Sequence, residues 1–214
     1  MVNTIGIIGD VHAEDGFLAK AIQFFKQEKC ELLLCTGDIP DGPGDVDRCC
    51  KLLKTNDVIT VAGNHERWFL NNEMRSLPDA TMIENASEDS KDFLRQLPKT
   101  VDIETAFGKL LLCQGMGKND MSTIHAGDFG YGLDSNLELK ELQKEGKYNF
   151  ILSGHSHQKM VRKIGDLILI NAGTLYRNHD GGFLILDFAK ALVRFFKIFD
   201  GVNIREITHQ KLPI

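Results

Sequence analysis

The stretch TIGIIGDVH (residues 4–12) decides the fold. Its apolar run Thr4–Gly9 reads as a buried strand, and an aspartate and a histidine follow directly at the strand's carboxyl end. The same pattern recurs twice downstream. ELLLCTGDIP (31–40) carries a strand over Glu31–Thr36 and then Gly37-Asp38, and DVITVAGNHE (57–66) carries one over Asp57–Ala62 and then Gly63-Asn64-His65-Glu66. Between these runs, Phe17–Lys29 sets Leu18, Ala21, Ile22 and Phe25 on one helical stripe, and Asp45–Lys54 reads as a second helix. The β-α-β-α-β order predicts a parallel sheet with helices packed on it. Continuous apolar runs fit strands covered on both faces.

Working outward, Glu66–Ser76 and Ser87–Leu97 read as helices. Val101–Thr105 and Lys109–Cys113 read as a hairpin closed by a Phe-Gly turn, and Leu137–Lys144 as a helix capped by Gly146. Strands follow at Phe150–Ser153, Met160–Ile164, Leu167–Asn171, Phe183–Asp187 and Val193–Phe199, with Gly165-Asp166 as a tight turn. Behind Phe150–Ser153 stands a fourth ligand-bearing cluster, Gly154-His155-Ser156-His157. The expected architecture is α/β, with two sheets and helices outside them in four layers, forming one domain over residues 1–214.

Composition narrows the function classes. The 214 residues hold 25 Lys plus Arg against 30 Asp plus Glu, a formal net charge of −5, which gives no general footprint for a phosphate backbone. Nucleic acid is therefore not the expected partner. The five cysteines, at positions 30, 35, 49, 50 and 113, form no C-x-x-C pair, so a disulfide framework or zinc finger is not expected. No apolar run approaches the roughly 18 to 20 residues that span a bilayer, and the N-terminus lacks the pattern of a signal peptide. A cytoplasmic, reducing location without membrane attachment is the expectation.

Four clusters of metal-ligand residue types thus follow strands, and ligands of open α/β sheets bind beyond the strands' carboxyl ends. Asp10 and His12 lie at i and i+2, so an extended segment points them the same way. His155 and His157 repeat that spacing, yet on a loop they can serve two different ions. Asp38 has two oxygens with which to bridge a pair, and Asn64 offers a neutral carbonyl. This mixed nitrogen and oxygen set suits Mn, Fe, Zn, Co or Ni and differs from an oxygen-only Mg or Ca cage. Two ions about 3.5 to 4 Å apart can hold both the attacking and the leaving oxygen of an in-line phosphoryl transfer.

With GDVH at 9–12, GDIP at 37–40, GNHE at 63–66 and GHSH at 154–157, the sequence resembles the calcineurin-like metallophosphoesterases. The resemblance spans residues 4 to about 175. It implies a sandwich of two mixed β-sheets flanked by helices. It further implies that Asp10, His12 and His157 hold a first metal, that Asp38 bridges to a second, and that Asn64 and His155 also hold that second ion. Asp38 and His65 are then the catalytic pair, with His65 as general acid or transition-state stabiliser beside the phosphate and a hydroxide bridging the metals as nucleophile. Two divalent transition metals are implied, manganese being favoured. Asn171-Ala172-Gly173-Thr174 is similar to the Asn-Pro-Gly-Ser stretch of smaller bacterial and archaeal members.

One position departs. Where the family carries a further metal-binding His after a strand, this chain has Gln114, by nature or by engineering. An amide oxygen ligates these ions more weakly than imidazole, so the second site is expected to be weakened. His125 is the nearest alternative donor, but the strand-end position belongs to Gln114, and His125 is read as an ordinary histidine. Asn64, His65 and Arg67 are the expected substrate contacts. Lys118, Asn119 and Asp120, and Tyr176, Arg177 and His179, are rim candidates. The expected function is hydrolysis of a small phosphomonoester or phosphodiester. The alternative is a non-catalytic scaffold that keeps the fold, as the retromer scaffold subunit does.

Overall fold

The computed structural model describes residues 2–214. Two mixed sheets face each other. The six-stranded sheet contains β1 (Thr4–Ile8), β2 (Leu32–Cys35), β3 (Ile59–Thr60), β9 (Gly182–Asp187), β10 (Leu192–Phe199) and β11 (Asn203–Lys211), in the order β11-β10-β9-β1-β2-β3. The five-stranded sheet contains β4 (Thr100–Thr105), β5 (Gly108–Cys113), β6 (Phe150–Ser153), β7 (Met160–Ile164) and β8 (Leu167–Asn171), in the order β4-β5-β6-β8-β7. The parallel unit expected from the first third of the chain is present: β1 pairs with β2, and β2 with β3, in parallel. It is extended into a mixed sheet because β9 returns antiparallel on the free edge of β1.

Burial explains the layering. Side chains alternate along a strand. On β1, Ile5 and Ile7 point between the sheets to meet Leu110, Leu112, Leu152 and Ile170, whereas Ile8 belongs with the helical layer. That layer is α1 (Asp15–Gln27) and α2 (Val46–Thr55), which bury Leu18, Ile22, Phe25, Cys49 and Leu53. The opposite outer layer is α6 (Leu137–Glu145), which sets Leu139 and Leu142 against Leu111, Ile151 and Leu169. Two further helices, α3 (Asn64–Leu70) and α4 (Glu88–Gln96), the short α5 (Tyr131–Asp134) and two 3-10 turns (Ile83–Asn85 and Arg177–His179) complete the elements. The four-layer expectation holds.

Beyond shifts of one or two residues at element ends, three differences from the sequence reading stand out. The third strand is only Ile59–Thr60; the Val61 N–H still donates to the Cys35 carbonyl of β2 at 3.2 Å, and the chain turns toward the site after it. The helix expected over 66–76 begins at Asn64 and ends at Leu70, since the Glu66 carboxylate caps its start by accepting from the Gly63 N–H at 2.6 Å. The strand β11 was absent from the sequence reading; its residues are mostly exposed, so no buried stripe marks it. All five cysteines are free, and no helix among the described residues is long and apolar enough to cross a membrane.

Leu152 is fully buried between the sheets, while Phe129 is 81% exposed. Leu152→Ala is expected to destabilise the fold by about 2–5 kcal/mol, and Phe129→Ala by less than about 0.5 kcal/mol. Urea denaturation midpoints at equal slope check the contrast.

Candidate metal centre

Strands β1, β2, β3, β5 and β6 end at one side of the sandwich, and each is followed by a segment carrying site residues. The chain makes this possible by letting loops approach closely. A Cβ on Gly154 would lie 2.0 Å from Asp10 Oδ1 and 2.5 Å from Thr36 Oγ1, and one on Gly63 would lie 2.2 Å from Asp38 Oδ1. Side chains larger than hydrogen would therefore fill the cradle. His12, Asp38, His155 and His157 all adopt left-handed backbone, with φ of 47, 48, 65 and 57°. That conformation is uncommon outside glycine and is most accessible to Asn, Asp and His.

The first cluster is Asp10, His12 and His157, whose candidate ligand atoms lie within 4.8 Å of one another. The Nε2 atoms of His12 and His157 stand 3.0 Å apart, and His157 Nε2 is 3.1 Å from Asp10 Oδ2. Two nitrogens at about 2.1 Å from one ion, at right angles, would be separated by about 3.0 Å, so the spacing fits a shared cation. The other ring nitrogens are occupied. His12 Nδ1 donates to the Asp41 carbonyl at 2.9 Å, and His157 Nδ1 meets His179 Nδ1 at 2.7 Å. Burial pushes the His12 pKa down to about 4, against the pull of Asp10, so its Nε2 carries a free lone pair at neutral pH.

The second cluster surrounds Asp38. His155 Nδ1 lies 2.9 Å from Asn64 Oδ1, and the His65 N–H donates to Asp38 Oδ1 at 3.0 Å. A trio of His12, Asp38 and His65 also has its candidate ligand atoms within 4.8 Å. Gln114 follows β5 and is buried; its Nε2 donates to Asp38 Oδ2 at 2.6 Å, and its Oε1 has no partner. His125, by contrast, is exposed, with its ring on Gln158, so the amide and not that imidazole occupies the strand-end position.

Charge defines the pocket. Asp10, Asp38 and Glu66 are all fully or almost fully buried. Burial raises the Asp38 pKa, and the nearby Asp10 and Glu66 carboxylates raise it further. Asp10 is lowered on balance: burial works against it, but the His157 hydrogen bond and charge and the Thr36 hydroxyl outweigh that. Glu66 is raised by burial while serving the scaffold, with Oε2 accepting from Asp38 N–H at 3.0 Å and Oε1 from Ile39 N–H at 2.6 Å. Buried carboxylates of this density call for a cation, and no lysine or arginine forms an ion pair with Asp10 or Asp38 among the described residues. The residues present fit divalent metal.

Two contributors, Asp41 and Arg75, escaped the sequence reading, and Asn171, read there only as part of a family-like stretch, gains a role. Asp41 accepts from His65 Nδ1 at 2.7 Å and from Arg75 at 2.7 and 2.9 Å. Its only sequence signal is its place three residues after Asp38. Asn171 steadies the His155–His157 loop by donating to the Gly154 carbonyl at 2.6 Å. Among the rim candidates, Arg67 is locked to Asp120 by two hydrogen bonds of 2.9 Å, and Arg177 is held on buried Glu14. Asn119 is spent on its own loop and on α6: its Nδ2 donates to Glu138, and its Oδ1 accepts from the Met121 and Ser122 N–H groups.

The profile of the calcineurin-like phosphoesterase superfamily domain matches residues 4–191, so the chain belongs to that superfamily. Solved structures agree with the fold. A metallophosphoesterase from Sphaerobacter thermophilus has a TM-score of 0.69 at 17% identity, over 96% of this chain and 90% of its own. Yfce, a phosphoesterase from E. coli, has 0.60 at 15%, over 98% and 99%. Vacuolar Protein Sorting 29 from Cryptosporidium parvum has 0.60 at 16%, over 98% of both chains. No curated protein matches the sequence.

Asp41 also supplies a pH test. Burial raises its pKa, but hydrogen bonds from His65, Arg75 and Thr81 prevail and hold it at about 2. A carboxylate lowered on folding adds stability that is complete above its ordinary value of 3.8 and disappears as the pH falls through the folded value. The loss should amount to about 2 kcal/mol between pH 4 and 2. Asp41→Asn is expected to flatten that limb of the stability profile, measured by urea titrations at stepped pH.

Proposed function

We propose that this protein is a metal-dependent phosphoesterase acting on a small phosphomonoester or phosphodiester. The observation that carries the reading is the pair of buried carboxylates, Asp10 and Asp38, ringed by imidazoles and an amide and, among the described residues, paired with no lysine or arginine. In this reading Asp10, His12 and His157 hold one divalent ion, Asp38 reaches both positions, and Asn64, His155 and Gln114 attend the second. The ions, when bound, supply a Lewis acid for the phosphoryl group and make water a stronger nucleophile at neutral pH.

The remaining work falls to side chains. His65 stands at the start of α3 with Nδ1 committed to Asp41, which fixes the ring and leaves Nε2 for a substrate oxygen. Arg75, bonded to the same carboxylate, keeps Asp41 ionised and in place. His65 is thereby prepared to donate a proton to the departing oxygen. Arg67 is held by Asp120, so it contributes to substrate binding only where its exposed face remains available or that pair opens. Manganese is the favoured ion.

A second reading has one observation in its favour. Gln114 occupies Asp38 with a hydrogen bond, as a binding protein that keeps the fold without hydrolysis would tolerate. The three-part arrangement of His65, Asp41 and Arg75 opposes it, since a scaffold has no chemical need for an oriented imidazole.

Hydrolysis of p-nitrophenyl phosphate and bis-p-nitrophenyl phosphate with added Mn separates the two. Mn-dependent turnover is expected, with His65→Ala lowering it by about 10²–10⁴-fold at unchanged folding. Gln114→His is expected to raise it. Absence of turnover on both esters, persisting in Gln114→His, would support the binding protein.

A further inference from the structure

Arg67 stands two residues after His65 in the short helix α3, and all of its guanidinium nitrogens face carboxylates. Nε and Nη2 donate to Asp120 Oδ2 and Oδ1 at 2.9 Å each, and Nη1 lies 3.9 Å from Glu73 Oε2. The loop after β5 sets Asp120 for this contact. Met116 and Asn119 exchange backbone hydrogen bonds of 3.0 and 3.2 Å, and Asn119 Oδ1 accepts from the Met121 and Ser122 N–H groups, so the turn carrying Asp120 is tied on both sides. The Asp120 side chain is only 17% exposed. Its charge also reaches the centre: burial raises the Asp38 pKa most, Asp10 and Glu66 add to that, and Asp120 adds further. The Arg67–Asp120 pair therefore borders the Asp38 side of the cradle.

The consequence concerns the charge of the substrate. Above about pH 6 a phosphomonoester carries two negative charges, whereas a diester carries one. The additional charged oxygen of a monoester calls for a cationic partner of its own, and a guanidinium fork suits it best. In a diester that oxygen carries the second alcohol and needs no cation. Here the fork is already filled by Asp120. The neighbouring cations are engaged as well: Arg75 with Asp41, Arg177 with Glu14 and Lys159 with Asp180. Lys118 lines a cavity beside α6 with Glu141 and Tyr148. We propose that Asp120 is a specificity-determining residue: by holding Arg67 it withholds the guanidinium from the phosphate and makes the site reject doubly charged monoesters in favour of singly charged diesters. This rests on the phosphoesterase reading and names its substrate class. In the reaction the oxygen of water bonds to phosphorus and the P–O bond to one alcohol breaks. One proton of the water leaves with that alcohol, and the other is lost to solvent as the new monoester ionises. The monoester is then disfavoured as a second substrate by the same pair.

The test reads binding and turnover separately on the Mn-loaded protein at pH 8. Titration calorimetry compares methyl phosphate with dimethyl phosphate, and kcat/KM compares p-nitrophenyl phosphate with bis-p-nitrophenyl phosphate. The wild type is expected to show no preference for methyl phosphate and to release one nitrophenol per bis ester. Asp120→Asn keeps the shape and removes the charge. It is expected to raise methyl phosphate affinity and kcat/KM on the monoester by about 10–100-fold, the scale of one charge-assisted hydrogen bond, and to change dimethyl phosphate and the diester by a clearly smaller factor. Adding Arg67→Gln should abolish that gain, and Asp120→Glu should keep the wild-type selectivity. Asp120→Ala removes the partner outright and serves if the asparagine variant fails to fold. Unchanged selectivity in both neutral variants, or a gain that survives Arg67→Gln, would overturn the inference. If no variant turns over either ester but methyl phosphate binding still shifts, the hydrolytic reading is removed and the role of Asp120 in phosphate recognition stands. Turnover without that shift does the reverse, and binding of neither phosphate removes both.

Discussion

The constraint on which the rest depends is the burial of carboxylates at the sheet ends. Asp10 and Asp38 have lost almost all contact with solvent, and Glu66 lies beside them. An ionised carboxylate in such a place needs hydrogen-bond donors, a cation, or a proton. The fold supplies donors sparingly: the His155 N–H, the Thr36 hydroxyl and the His157 ring for Asp10, the His65 N–H and Gln114 amide for Asp38. These orient the oxygens without neutralising them. Glu66 differs, because three backbone N–H groups absorb its acceptor capacity and tie the start of α3 to the loop after β2.

Cations are present nearby but are diverted. Arg67 is matched to Asp120, Arg177 to Glu14, and Arg75 to Asp41. Each guanidinium is satisfied by a carboxylate outside the cradle, and bidentate pairing makes such pairs selective as well as strong. The net effect is a ring of compensated ion pairs around an uncompensated centre. Only one of these pairs reaches into the chemistry. Through Asp41, Arg75 acts on the ring of His65, which is how a residue outside every motif becomes a positioning residue for the site.

How much of this was readable in the sequence follows from what each feature requires. The strands and the four clusters were legible because burial demands apolar runs and a site at strand ends demands ligand types directly after them. Gln114 was legible as a departure because the family that the motifs resemble carries a histidine directly after that strand, and β5 is clear enough in the sequence to mark its end. Asp41, Arg75 and Asn171 were not assigned these roles, because each acts through a contact set by tertiary packing; Asp41 and Arg75 are 34 residues apart. Arg67 looked free for substrate for the same reason: its partner lies 53 residues away, and nothing local announces it. The left-handed backbone at His12, Asp38, His155 and His157 also has no local sequence signature beyond residue types that tolerate it.

Gln114 shows why one side chain can change the character of the centre while leaving its framework intact. An imidazole there could accept a cation through a ring nitrogen but could not present both a donor and a carbonyl acceptor through one half-turn. The amide can, and its donor end already satisfies Asp38 at 2.6 Å. Binding a cation on that side must therefore break a charge-assisted hydrogen bond, of the kind worth about 1.5–3 kcal/mol, before the carbonyl becomes a ligand. The gain from pairing the orphaned oxygen partly offsets that cost. Toward Asp10 the competing contacts are between the candidate ligands themselves: His12 Nε2 meets His157 Nε2 at 3.0 Å, and His157 Nε2 lies 3.1 Å from Asp10 Oδ2. The two halves of the cradle thus differ in kind: on one side an amide must turn before its carbonyl can serve, and on the other two imidazoles need only part.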